Sequence, residues 1–369
     1  MNFYDLKEDW DGVKKRWAAW WEFEMYDRPL LLIQTSRKNP ITPPDGEVFT
    51  DSGNDFARIY TDPHYLTSKI LSEFYSTFYG GESVPVLNHG WAVGHACTFG
   101  CEPHFKLDTI WTDIVPVKEG DEYPEIRFDE DNHWWRLFLD VTEKISTASK
   151  QRYFVMPMWG NNAGDNLLLC RGSTALCMDV SENPEWVKKS VKTISDAQIK
   201  QYLQLRDKAL LTGLEGTVNN VSIWSPKQTQ GIDSDFSCMV SPGAFRDIFL
   251  PPLIETMQTA DHCIYHLDGA VALHQLDTLL ATKEINAFQW VPGDGHWEVM
   301  QWIPLLQKMQ AHKKAVLCYA NPDNVHQVIK ELQPEGLCIQ TWANGEDGAR
   351  ALVDSVSKLY HPGTAIRSS

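Results

Sequence analysis

Apolar positions in this chain repeat with two periods, and the alternation between the two predicts the fold. Between residues 5 and 26, Trp10, Val13, Trp17, Trp20 and Trp21 recur at helical spacing, with Lys14, Lys15 and Glu22 among them. That pattern predicts an amphipathic helix packed on the body of the protein. Arg28-Pro29 ends it, and Leu30-Leu31-Leu32-Ile33 reads as a short strand buried on both faces. Short apolar runs near 86, 153 and 219 predict three further strands, with a loop at 36–55, an insertion at 105–135 and a polar, glycine-bearing loop from Gly160 to Asn166. From residue 263 the alternation is regular. Strands near 263–267, 286–291, 314–319 and 336–341 alternate with helices near 270–281, 297–312, 322–332 and 345–360. Asn321-Pro322 supplies a cap and a first-turn proline for one of those helices. Steps of this length suit parallel strands joined by right-handed crossovers. The count reaches the eight βα units that close a barrel, so the expected fold is α/β, a (β/α)8 TIM barrel with an N-terminal helical extension and inserted loops. An open doubly wound sheet is the alternative, but no GxGxxG follows an early strand, so no nucleotide cofactor is expected.

Composition narrows the partners. The 369 residues carry 33 basic and 49 acidic side chains, a formal net charge of -16, which repels phosphate backbones and anionic lipid. Nucleic acid and membrane are therefore not expected partners, and a small-molecule substrate is; self-association into a homo-oligomer is compatible with this composition. No apolar run approaches the ~18 residues of a membrane span, and the first residues are charged. The eight cysteines include no CxxC pair, which suits reduced thiols, and the expected setting is cytoplasmic.

Chemistry is expected where strands hand over to helices, because ligands bind at the C-terminal ends of strands in these folds. The segment Cys263 to Asp277 shows the pattern most clearly: an apolar run, then His266 and Asp268, then Gly269 and an amphipathic helix. Residues two apart on a strand share a face, and a carboxylate beside an imidazole makes a workable acid–base pair. The strand ends would add Trp159, Asn161 and Asp165; Trp224, Asp233 and Asp235; Gln289 and Trp290; Tyr319; and Gln340 and Trp342. Of the two loop carboxylates Asp235 is preferred, so the expected catalytic set is His266, Asp268 and Asp235. Asp233 reads equally well as a solvated loop residue, and Asp268 as a helix cap. His266, Asp268 and Cys338 are of types that bind zinc. Neither a Gly-x-Ser-x-Gly elbow nor a Walker loop occurs.

Ser241-Pro242 with Phe245 and the helix to Pro251, YHLDG at 265–269, QWVPG at 289–293 and the opening WDGVKKRWAAWW with Arg28-Pro29 together resemble the uroporphyrinogen decarboxylase superfamily. The resemblance implies one barrel domain over residues 1–369, with residues 1–27 packing on it. Decarboxylases of this superfamily use an arginine-rich opening motif that this chain lacks. Its corrinoid-dependent methyltransferases bind zinc through a His-x-Cys pair and a later Cys; here the matching positions read His266-Leu267-Asp268, with Cys338 as the later ligand. The implied function is methyl transfer from a small substrate to a thiol or to a corrinoid carried by a partner protein. Two other readings stay open: an acid–base hydrolase or lyase acting on a sugar- or polyol-like molecule, and a barrel that binds a small molecule without turning it over.

Overall fold

The indole stripe at the N-terminus does form a helix, and that helix closes one end of a parallel sheet. The computed structural model describes residues 2–42, 49, 53–91, 93–157 and 162–361. Helix α1 (Trp10–Trp21) buries Trp10, Val13, Trp17, Trp20 and Trp21. It is shorter than expected, because a separate turn of helix, Phe3–Leu6, precedes it and Asp9 stands between them in the left-handed conformation at φ 48°. Trp21 stacks on His262 at 4.8 Å, and its indole N–H donates to the Trp224 carbonyl at 3.0 Å. His262 opens a strand, so α1 covers the N-terminal ends of the strands and leaves their C-terminal ends free.

The parallel strands arrive nearly in the expected places. They are β1 (Leu30–Ser36), with β2 (Thr77–Gly81) antiparallel to it; β3 (Val86–Leu87) and β4 (Phe154–Val155), paired with each other; and then β5 (Thr229–Ile232), β6 (His262–Asp268), β7 (Ala287–Val291), β8 (Ala315–Tyr319) and β9 (Leu337–Thr341). One continuous sheet runs β2-β1-β9-β8-β7-β6-β5. Every ladder in it except β1–β2 is parallel. Among the described residues no ladder joins β1 to β3 or β4 to β5, so this is a mixed α/β fold with a central parallel sheet.

The fourth strand is a correction. The run 218–224 is not one strand: Thr217–Val218 pairs antiparallel with Trp224–Ser225, and the strand that joins the ladder is β5. The physical reason is Asn219, whose side-chain oxygen accepts the N–H groups of Val221 and Ile223 and rolls the chain into a tight turn, with Ser222 at φ 60°.

Strand alternation sorts the side chains. Tyr265, Leu267, Phe288, Trp290, Val316, Cys318, Leu337 and Ile339 pack in one cluster with the helices, while Ile264, Ala287, Ala315, Leu317, Cys338, Leu30 and Leu32 pack with the indoles of α1 in another. Continuing the second set toward the strand C-termini gives His266, Gln289, Tyr319 and Gln340. The same parity that builds the plugged apolar end therefore makes a polar open end.

Strand β1 is tied down by Glu82. Its carboxylate is fully buried, accepts both Nη groups of Arg28 at 2.8 and 3.0 Å and Arg16 Nη1 at 3.2 Å, and also takes the Leu31 N–H at 2.8 Å. Burial works to raise the Glu82 pKa, but the two arginines and the backbone donor together hold it below the usual glutamate range. Its contribution to stability is thus present above the unfolded-chain pKa of about 4.3 and fades as pH drops below that. Glu82→Ala leaves buried Arg28 without its partner and should cost about 3–5 kcal/mol in urea unfolding at pH 7. A loss under 1 kcal/mol would contradict this role.

Candidate active site

Three strands deliver a linked polar row at the open end. His266 and Gln289 are register partners on β6 and β7, and His266 Nδ1 lies 2.6 Å from Gln289 Oε1. Gln289 Nε2 in turn donates to the Tyr319 hydroxyl at 2.6 Å. With Gln289 Oε1 accepting, the imidazole carries its proton on Nδ1 and keeps Nε2 as the basic nitrogen. Tyr319 still has its own O–H proton to give. Burial raises the Tyr319 pKa and the Gln289 bond only partly offsets it, so the phenol stays protonated. Trp297 stands edge-on to Tyr319 at 5.8 Å, and the rings of Trp297 and Trp342 are about half exposed around the opening.

A group of carboxyls faces this row. Helix α2 (Ala163–Arg171) starts at Asn162, whose side-chain oxygen caps it by accepting the Gly164 and Asp165 N–H groups. Asp165, in the first turn, accepts the backbone N–H groups of Asp235 at 3.1 Å and Phe236 at 2.7 Å, as well as Asn162 Nδ2 at 2.6 Å. Asn162 also donates its backbone N–H to Asp233 Oδ1 at 3.2 Å and its side-chain amide to the Asp233 carbonyl. The segment after β5 is thereby pinned to the start of α2, and three carboxyls meet.

Their ionisation follows from that crowding. Burial pushes Asp165 well above the carboxylate range, and the charges of Asp233 and Asp235 push it further. Asp233 is raised to about 8 by burial and then by Asp235, against the lowering effect of the two Asn162 donors. Asp235 is exposed at the rim, yet the surrounding protein still raises its pKa; His266 pulls it down and Asp268 pushes it up. Burial and Asp235 thus favour the protonated form of Asp233, and of the carboxyls it is Asp235 that His266 acts on.

The residues expected at the site fall into two groups in the fold. Asp165, Asp235, His266, Asp268, Gln289 and Tyr319 lie at one end of the sheet, and the exposed Trp342 follows the last residue of β9. Asp165 is there as a helix residue, not a loop residue. Trp224 is elsewhere: it is buried edge-on to Trp10 at 5.2 Å and donates to the Glu215 carbonyl at 2.9 Å, at the plugged end. Trp290 is buried on the helix side of the sheet against Trp302 at 4.8 Å, because it neighbours inward-facing Gln289. Trp159 and Asn161 lie outside the described residues, as do Pro43, Pro44 and Gly46 of the 36–55 loop. Two residues gained weight. Asp233 is buried rather than solvated, and Asn162, expected only as part of a polar loop, caps α2, a role signalled by an Asn with an acidic residue in the turn that follows.

The residues implied as zinc ligands do not fit a zinc centre. Cys338 sits low on β9, fully buried among Leu30, Leu317 and the α1 indoles, and burial pushes its thiol pKa far up, whereas zinc takes a thiolate. Among the described residues no group of three or more His, Cys, Asp and Glu side chains is disposed to hold a metal ion.

No family model matches the chain, and no curated protein matches it in sequence. Among solved structures the chain is similar to a methyltransferase from Methanosarcina mazei, at 12% identity with a TM-score of 0.61, over 94% of this chain and 99% of that one. The likeness is one of fold. Among the described residues no helix is long and apolar enough to cross a membrane.

A native carboxyl whose pKa is raised to about 8 binds a proton that the unfolded chain releases near 4, so stability must fall as pH rises between those values. Asp233→Asn mimics the neutral form. The variant should match the parent near pH 4 and exceed it at pH 8.5 by on the order of a few kcal/mol in chemical unfolding. A variant less stable than the parent at pH 8.5 would show that Asp233 is held ionised.

Proposed function

We propose that the chain is an enzyme of the uroporphyrinogen decarboxylase superfamily, one closed (β/α)8 barrel domain over residues 1–369, that transfers a methyl group from a small substrate. What supports this reading is the buried Asp233 carboxyl just after β5, whose pKa burial and the neighbouring Asp235 raise to about 8, together with the linked His266–Gln289–Tyr319 row. A methyl group leaves an oxygen or nitrogen readily only if that atom gains a proton as its bond to carbon breaks. Asp233 keeps its proton at pH 7 and is suited to give it. The acceptor attacks the methyl carbon with its own electron pair and comes from outside the chain, as a thiol or as the corrinoid of a partner protein. Asp165 and Asn162 act as positioning residues for Asp233 and Asp235. His266, with Gln289 and Tyr319, orients the substrate and takes up or returns the proton, and Trp342 walls the opening. The fold likeness to a methyltransferase supports this choice of reaction over others that the same groups could perform.

The exposed rings of Trp297 and Trp342 favour a second reading, acid–base hydrolysis or elimination on a sugar- or polyol-like molecule, because aromatic faces stack on such rings. Product analysis separates the two. Screening methylated amines, methyl ethers and methyl thioethers with a thiol or reduced cobalamin as acceptor should reveal transfer. Asp233→Asn and His266→Ala should each lower kcat by about 100- to 10,000-fold. The rate should decline above about pH 8, where Asp233 gives up its proton. Unchanged turnover in both variants would contradict the roles given to Asp233 and His266, and no turnover of any candidate by the parent, with binding retained, would leave only a binding role.

A further inference from the structure

Beside strand β5 lies a cavity that the rim chemistry does not use. β5 is the last strand of the continuous sheet, and the cavity runs along it, walled by Gln198, Tyr202 and Leu205 of the long helix Pro184–Ala209 and by the turn at Asn219 and Asn220. Among the described residues its lining contains no Asp, Glu, Lys or Arg. Its one imidazole, His95, is already bonded to Gln201 at 2.9 Å. A charged molecule would lose its hydration here with nothing in return.

The polar groups it offers are amides. Asn220 is 6% exposed, yet neither its Nδ2 nor its Oδ1 has a hydrogen-bond partner, and Gln230, equally buried, has an unpartnered Oε1 while its Nε2 donates to Thr259. Buried amides are almost always satisfied, so a donor and an acceptor left side by side mark a place for something that supplies both. The backbone agrees. A Cβ on Gly231 would lie 1.7 Å from Asn220 Oδ1, so the amide rests against a strand position that only glycine leaves open. Tyr202 holds the wall in place by donating to the Thr229 carbonyl at 3.0 Å, and the adjoining Asn219 is fully engaged through Thr229 and its own turn. Among the described residues of the lining, Asn220 is the one with both polar atoms of its side chain unpartnered.

We infer that this cavity is a binding site for a small uncharged molecule bearing a carboxamide, urea or lactam group, which pairs its C=O and N–H with the side-chain amide of Asn220. The inference does not depend on the reaction at the rim, although Asn162 borders both places. Propionamide is a suitable probe, with propionate and propylammonium as charged partners of the same size. Ligand-observed NMR on the full chain should show saturable millimolar binding of propionamide and none of the two ions. Asn220→Leu should weaken it at least tenfold. Gln230→Met, which leaves Asn220 in place, should weaken it severalfold and serves if Asn220→Leu fails to fold by circular dichroism. A crystal soaked in propionamide should place its amide on Asn220. Absence of propionamide binding, equal binding of propionate, undiminished binding by the folded variants, or only ordered water on Asn220 in the soaked crystal would each overturn the inference.

Discussion

Asp165 accepting two backbone N–H groups from another part of the chain is the interaction on which the open end of this protein depends. Phe236 and Asp235 donate to it, and Asn162 donates to both it and the segment carrying Asp233. A buried carboxyl is costly unless it is hydrogen-bonded or neutral. This one is bonded, and burial together with the charges of Asp233 and Asp235 raises its own pKa. The cap of one helix thereby holds in place an acid seventy residues away in sequence, while burial and Asp235 raise the pKa of that acid.

The two ends of the parallel sheet are complementary consequences of one strand parity. Small and apolar inward residues, Ala287, Ala315, Leu317 and Cys338, leave room for the indoles of α1, which fill the N-terminal end. Two residues further along each strand the same face carries an imidazole, an amide and a phenol, joined in one hydrogen-bonded row. The Glu82–Arg28 pair fixes β1 between these ends. A fold of this design can vary its chemistry at one end without disturbing the packing at the other.

Much of this was readable from the sequence because strand and helix periods are local properties. His266, Gln289 and Tyr319 fall at the ends of apolar runs, and their shared face follows from alternation alone. Two errors have the same local root. Gln289 and Trp290 are adjacent on a strand and so cannot both face inward. Trp224 closes a turn organised by the Asn219 side chain, which apolar patterning does not register. The reading of Asp233 as a solvated residue failed for a different reason. Its burial comes from Asn162 and Asp165, which approach through tertiary structure, and no spacing in the sequence announces that meeting. The zinc reading rested on the residue types of His266, Asp268 and Cys338 and on the resemblance around His266, and neither registers that Cys338 packs at the plugged end.

The account stands on Asp233 being a neutral acid in the folded protein at neutral pH. Carbon-13 NMR of the protein labelled at aspartate side-chain carboxyls, titrated from pH 3 to pH 10 and assigned by loss of the signal in Asp233→Asn, observes this group directly. The account predicts a carboxyl resonance that stays protonated through pH 7 and titrates near 8. An Asp233 resonance that titrates with the ordinary carboxylates near pH 4 would contradict it.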